Sequence, residues 1–308
     1  MQTLSERNGL LQVWMSQVRQ SPWVAAGLAV ALLVVMWLLA SSLSNVFDEG
    51  HPERIRHALY GGGAGFAATT LGAFVALALG SISVRTQDSM LGFAAGMMLA
   101  ASSFSLILPG LEAAENLTGS GMGGAATVVL GLGLGVLLML GLDHFTPHEH
   151  ESAGAQGPHS SRLSRVWLFV FAITLHNLPE GMAIGVGFAA DDMQVGIPLA
   201  TAIAIQDIPE GLAIALALRT IGISALRAAL IAAASGLMEP LGALVGVGMS
   251  SSYALAYPIG LGLAAGAMLF VVSHEIIPET HRNGHQTSAT LGLMGGFAVM
   301  MFLDTALG

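Results

Sequence analysis

Apolar residues fill nine stretches of about twenty positions, running approximately 23 to 43, 58 to 80, 91 to 111, 122 to 142, 166 to 189, 195 to 218, 225 to 249, 254 to 277 and 290 to 307. Each is long enough to cross a hydrocarbon core of about 30 Å as an α-helix. Polar residues collect between the stretches, and most of these connections are short. The pattern predicts an all-α, polytopic integral membrane protein of nine spans. The first stretch follows Arg7 and Arg19 and resembles a secretory leader, with Ala40-Ser41-Ser42 as a cleavage site. Its apolar run is near twenty residues, whereas a leader core has about 7 to 15, so it reads as a retained helix. Residues 1–57 then form an extra N-terminal helix and linker, and residues 58–308 an eight-helix core.

Composition agrees with this division of labour: 54% of the 308 residues are hydrophobic and 9% are charged, against about 25% charged in soluble proteins. All ten basic residues are arginines. With a cytoplasmic N-terminus, Arg7, Arg19, Arg85, Arg162, Arg165, Arg219, Arg227 and Arg282 lie inside and only Arg54 and Arg56 outside. This is the positive-inside bias of a multi-pass protein in a plasma membrane, which is the inner membrane if the cell is Gram-negative, and it makes the C-terminus external. The lack of lysine excludes a retinal Schiff base and lysine-based covalent catalysis. The lack of cysteine excludes disulfides, thiolate ligands and cysteine nucleophiles. A net charge of -9, spread over the loops, argues against nucleic acid as a partner.

Charges inside the spans carry the chemistry. His176-Asn177-Leu178-Pro179-Glu180-Gly181 and Gln206-Asp207-Ile208-Pro209-Glu210-Gly211 are thirty positions apart, each within a span. A charged side chain at the centre of a membrane helix costs roughly 2.5 to 3.5 kcal/mol on insertion scales, so charges repeated at matched positions point to use. Positions four apart stack on one helix face, which pairs His176 with Glu180 and Gln206 with Glu210, with Asn177 and Asp207 on the adjacent strip. If spans five and six face each other there, an imidazole, two amides and three carboxylates converge. Pro179 and Pro209 each remove an intrahelical bond and push out the carbonyls of Leu175 and Ile205, adding oxygen donors where they line a polar cavity. Gly181 and Gly211 keep the following turn slim. Glu239 before Pro240 in span seven, and His274 with Glu275 in span eight, add further deep polar positions. Five intramembrane carboxylates are a burden of order 10 kcal/mol that a bound dication offsets. Asp304 lies near the end of span nine, as a vestibule residue.

Oxygen ligands alone suit magnesium or calcium, and imidazole shifts preference toward zinc and iron. One histidine among oxygens implies moderate affinity, as a carrier that releases its cargo requires. The longer connection 143–165 carries His144, His148, His150 and His159 with Asp143, Glu149 and Glu151. It reads as a flexible cytoplasmic loop, suited to metal hand-over or merely solvated. Gly131, Gly133 and Gly135 in span four, and Gly260, Gly262 and Gly266 in span eight, suit close helix approach.

At the two paired motifs, with eight spans and a histidine-bearing loop between the third and fourth of them, the chain resembles the ZIP (Zrt- and Irt-like protein) family of divalent metal transporters. The resemblance covers roughly residues 58–308. It implies a binuclear site: one metal held by His176, Glu180, Gln206 and Glu210 with Met98 as a soft ligand, the second by Asn177, Glu180, Asp207, Glu210 and Glu239. Glu180 and Glu210 bridge the two. It also implies inward transport, a homodimer, and an elevator-like movement of spans two, five, six and seven against three, four, eight and nine. His274 and Glu275 would lie on the exit side. Gln206 stands where many members carry histidine, which weakens the preference for soft metals. Zinc or cadmium, and further iron or manganese, are the expected substrates, and no catalytic cofactor is expected.

Two rivals lack their frames. An intramembrane metalloprotease needs a His-Glu-x-x-His helix, but His274-Glu275-Ile276-Ile277-Pro278 stops at proline and His176 precedes asparagine. A proton-coupled carrier of small solutes calls for an intramembrane arginine or aromatic cage, and no arginine lies deep in a span.

Overall fold

A computed structural model describes residues 15, 18–49, 52–79, 82–145, 148–150, 154–156, 177–189, 193–220, 222–250 and 253–307. The helices are α1 (Pro22–Glu49), α2 (Pro52–Ala78), α3 (Val84–Thr118) and α4 (Gly121–Phe145). They continue as α5 (177–187), α6 (Met193–Thr220), α7 (Ala225–Ser235), α8 (Met238–Ser250), α9 (Ala256–His281) and α10 (Gln286–Leu307). Pro22 and Pro52 open the first two, where proline's missing N–H is no loss. Among the described residues, seven helical segments are long and apolar enough to cross a membrane, and the apolar part of α1, Pro22–Leu38, is shorter. The protein is an all-α, polytopic membrane protein.

Three expectations need correction. The seventh span is present over Ala225–Gly248 but is interrupted: α7 ends at Ser235 and α8 begins at Met238, with Gly236 and Leu237 forming a turn that places Glu239 in the first turn of α8. Asp143 and His144 belong to the last turn of α4 and not to a loop, because the apolar pattern of span four runs on to Phe145. Beyond it, His148–His150 and Gly154–Gln156 pair as a short antiparallel hairpin, and the rest of the histidine-bearing segment lies outside the described residues. Gly133 makes no close approach, since a methyl carbon there would meet nothing within 4 Å.

α3 and α9 each widen into π-helix, at Ala101–Ile107 and Val272–Ile276. Both π-segments end just before a proline, Pro109 and Pro278. Proline offers no N–H and crowds the carbonyl four residues back. A local i→i−5 register, seen where the Leu108 N–H donates to Ser103 O and the Ile277 N–H to Val272 O, accommodates this.

Small residues set the packing. α2 buries Ala58, Gly61, Gly62, Gly65, Ala68, Thr69, Gly72, Ala73 and Ala76, a stripe at helical period that lies against α6, α7 and α8. α4 and α9 approach through Gly131 and Gly135 on one side and Gly262 and Gly266 on the other; methyl carbons at these four positions would fall 2.0 to 2.5 Å from backbone carbonyls. α3 and α10 pack in the same way through Gly96 and Gly296. Without a hydrophobic drive between helices in lipid, such close backbone approach is a main source of packing energy. The largest buried cluster spans several helices and includes Met97, Met98, Ile184, Leu199, Ile203 and Met268.

Candidate metal site

The proline-bearing motifs build the site from two helices. Glu180 lies on α5, and Gln206, Asp207 and Glu210 lie on α6, whose helix runs through Pro198 and Pro209. All four are buried. Glu180, Asp207 and Glu210 each offer one carboxylate oxygen, and these oxygens lie within 4.8 Å of one another. At an effective dielectric of about 20, two unit charges at that separation repel by roughly 3 to 4 kcal/mol. A divalent cation among them turns each repulsion into a shared attraction. Gln206 closes the group, its Nε2 donating to Glu180 Oε1 at 2.6 Å.

The glycine of each motif brings in another helix. A methyl carbon on Gly181 would fall 2.1 Å from the carbonyl oxygen of Glu239, and one on Gly211 would fall 2.3 Å from that of Thr69. The two glycines therefore do more than keep a turn slim: Gly181 seats α8 and Gly211 seats α2. This docking carries the fully buried Glu239 into electrostatic contact with Glu180 and Asp207. Glu239 Oε1 accepts from the Thr69 hydroxyl at 2.7 Å. Among the described residues, Asp207 Oδ2 and Glu239 Oε2 are buried and accept from no N–H or hydroxyl donor, the two carboxyl groups lying within hydrogen-bond reach of each other. Oxygens in that condition favour a cation as neighbour.

The other expected positions fall out as follows. Asn177 is buried at the start of the described part of α5 and its Nδ2 donates to Ser235 Oγ at 3.5 Å, where α7 breaks; Ser235 Oγ in turn donates to Ala232 O at 2.7 Å. Met98 is fully buried in α3, just ahead of its π-segment, within the large apolar cluster. His176 lies outside the described residues. His274 and Glu275 are not members of the carboxylate cluster and lie in the π-segment of α9. His274 is half-exposed, with Nε2 3.7 Å from Asp143 Oδ2 at the end of α4 and its ring tilted against Phe270 with centroids 5.0 Å apart. Asp304, read as a vestibule residue, accepts from Ser105 Oγ at 2.5 Å.

Sequence reasoning missed Gly65, Thr69 and Ser235. A glycine, a threonine and a serine in apolar helices carry no local signal of function. The small-residue stripe of α2 was the one available sign that another helix packs there.

The profile of the family described as ZIP zinc transporter matches residues 141–304. The chain is 66% identical over 295 residues to a zinc transporter ZIPB of Bordetella bronchiseptica, with 96% of each chain covered. It is 44% identical over 241 residues to a zinc transporter GufA of Myxococcus xanthus, covering 78% of this chain and 95% of the relative. The human zinc transporter ZIP11 is 31% identical over 344 aligned positions, covering 84% of this chain and 99% of the relative.

Proposed function

The chain belongs to the ZIP zinc transporter family, and from that premise we propose that it moves zinc and similar divalent ions into the cytoplasm through a binuclear intramembrane site. One observation carries the reading: three buried carboxylates on two adjacent helices bring oxygens within 4.8 Å of one another. Glu180 and Glu210 bridge two ions. The first ion is held also by His176, Gln206 and Met98, and the second by Asn177, Asp207 and Glu239. His274 and Glu275 line the exit. The mixture of one imidazole with amide and carboxylate oxygens suits zinc and cadmium and leaves room for iron and manganese. The protein acts as a transporter with no catalytic cofactor, and it works as a homodimer.

The movement is of elevator type. α2, α5, α6, α7 and α8 travel with the site, and α3, α4, α9 and α10 stay as scaffold. Close packing of α2 on α6 and α8, and of α4 on α9, supports this grouping. Residues 58–308 form the transport unit, and residues 1–57 add a helix outside it. The N-terminus is cytoplasmic and the C-terminus external in the plasma membrane. A dication moving inward gains roughly 4.6 kcal/mol per 100 mV of interior-negative potential, so no coupling ion is required.

The test is flux into liposomes. Wild-type protein admits zinc or cadmium, and Glu180→Gln and Glu210→Gln each abolish most of it. Wild-type flux in both variants would refute the site.

A further inference from the structure

We propose that α2 forms a third wall of this site, with Thr69 and Gly65 as positioning residues that fix the Glu239 carboxylate for the second ion. The proposal rests on the binuclear reading and adds two residues to it. Glu239 is fully buried, and its two oxygens have different surroundings. Oε1 accepts the Thr69 hydroxyl at 2.7 Å. Among the described residues Oε2 accepts from no N–H or hydroxyl donor and has the Asp207 carboxyl group as its neighbour, and it occupies the space where a side chain on Gly65 would begin: a methyl carbon there would fall 1.8 Å from Oε2 and 3.0 Å from Asp207 Oδ2. Gly65 is thus the hollow in which the two oxygens meet.

A carboxylate with one oxygen held by a hydroxyl and the other beside a second carboxylate is set to bind a cation through one oxygen. Thr69 is itself held in place. Its backbone carbonyl abuts Gly211 of the second motif, and its Cβ would lie 3.1 Å from a methyl carbon on Gly236, at the break before α8. The hydroxyl therefore acts from a fixed point, with α6 on one side and the α7–α8 turn on the other. Without it, Glu239 Oε1 loses its donor, the carboxylate is free to rotate, and the second ion must pay for the ordering that Thr69 now supplies in advance.

Cadmium binding to purified full-length protein in nanodiscs, followed by titration calorimetry and by metal content after desalting, tests this with four variants. Wild type binds two equivalents. Thr69→Val keeps the shape, leaves the first equivalent unchanged and weakens the second by about tenfold, the scale of one hydrogen bond to a charged group; its zinc flux shows a raised KM. Thr69→Ser restores both. Gly65→Ala and Glu239→Gln lose the second equivalent. Thermal unfolding of the metal-free protein serves as the folding control, and if Gly65→Ala fails it, the valine and serine pair decides. Wild-type binding of both equivalents by Thr69→Val overturns the seat while leaving the binuclear site standing. Equal weakening in the serine variant also overturns it, since packing and not the hydroxyl would then be responsible. One equivalent in the wild type overturns the binuclear reading itself.

Discussion

At the scale of single residues, Gln206 is the position proposed to set this chain's metal preference. Its amide faces Glu180 with nitrogen toward the carboxylate at 2.6 Å, because two acceptor oxygens at that distance would repel. A neutral amide thus stands where an imidazole would offer a softer donor. Gln206→His is expected to raise zinc transport relative to manganese by several-fold, read from competition flux in liposomes; an unchanged ratio would show that residue 206 does not select. Residue-scale chemistry was also the most legible from sequence. Glu180, Asp207 and Glu210 sit in two short motifs, each of which sets its polar side chains along one side of its own helix, so local pattern was enough to single them out. Thr69 was invisible for the opposite reason: its partner Glu239 is 170 residues away in sequence, and a threonine in an apolar helix reads as ordinary packing.

At the scale of elements, the decisive contacts are between backbones. The motif glycines were legible as glycines but not as docking points, since periodicity gives a helix its apolar face and says nothing of which helix will lie on it. Span seven shows a related gap. Its hydropathy is continuous over 225 to 249, yet the chain breaks at Gly236, because hydropathy reports burial and not helical continuity. The docking role yields an internal comparison. A methyl group on Gly181 or Gly211 meets a backbone carbonyl, whereas one on Gly133 meets open space. Gly181→Ala and Gly211→Ala are therefore expected to destabilise the protein by about 1 to 3 kcal/mol, the usual cost of overpacking, and to reduce metal flux. Gly133→Ala should match the wild type in both respects. Thermal unfolding in detergent and liposome flux measure these, and equal behaviour of all three variants would remove the docking role.

At the scale of the whole molecule, the arrangement of helices has to be matched to the two sides of the membrane. α1 packs against both α4 and α8, with Leu28 against Gly141 and Leu137 against Gly27, so the added helix touches both groups assigned to the elevator. The arginine bias then predicts which way the assembly faces. Counting spans from a cytoplasmic N-terminus puts the α3–α4 turn at Ser120 outside and the start of α10 at Thr287 inside, both exposed. The chain contains no cysteine, so one introduced thiol reports its own side without any background to remove. Ser120→Cys is expected to react with an impermeant maleimide added to intact cells or right-side-out vesicles, and Thr287→Cys only after the membrane is opened. The reverse pattern would invert the topology and, with it, the proposed inward direction of transport, because His274 and Glu275, the proposed exit residues, are on the same side as Thr287 in this count. Labelling of both positions from outside would instead break the alternation on which the nine-span reading depends.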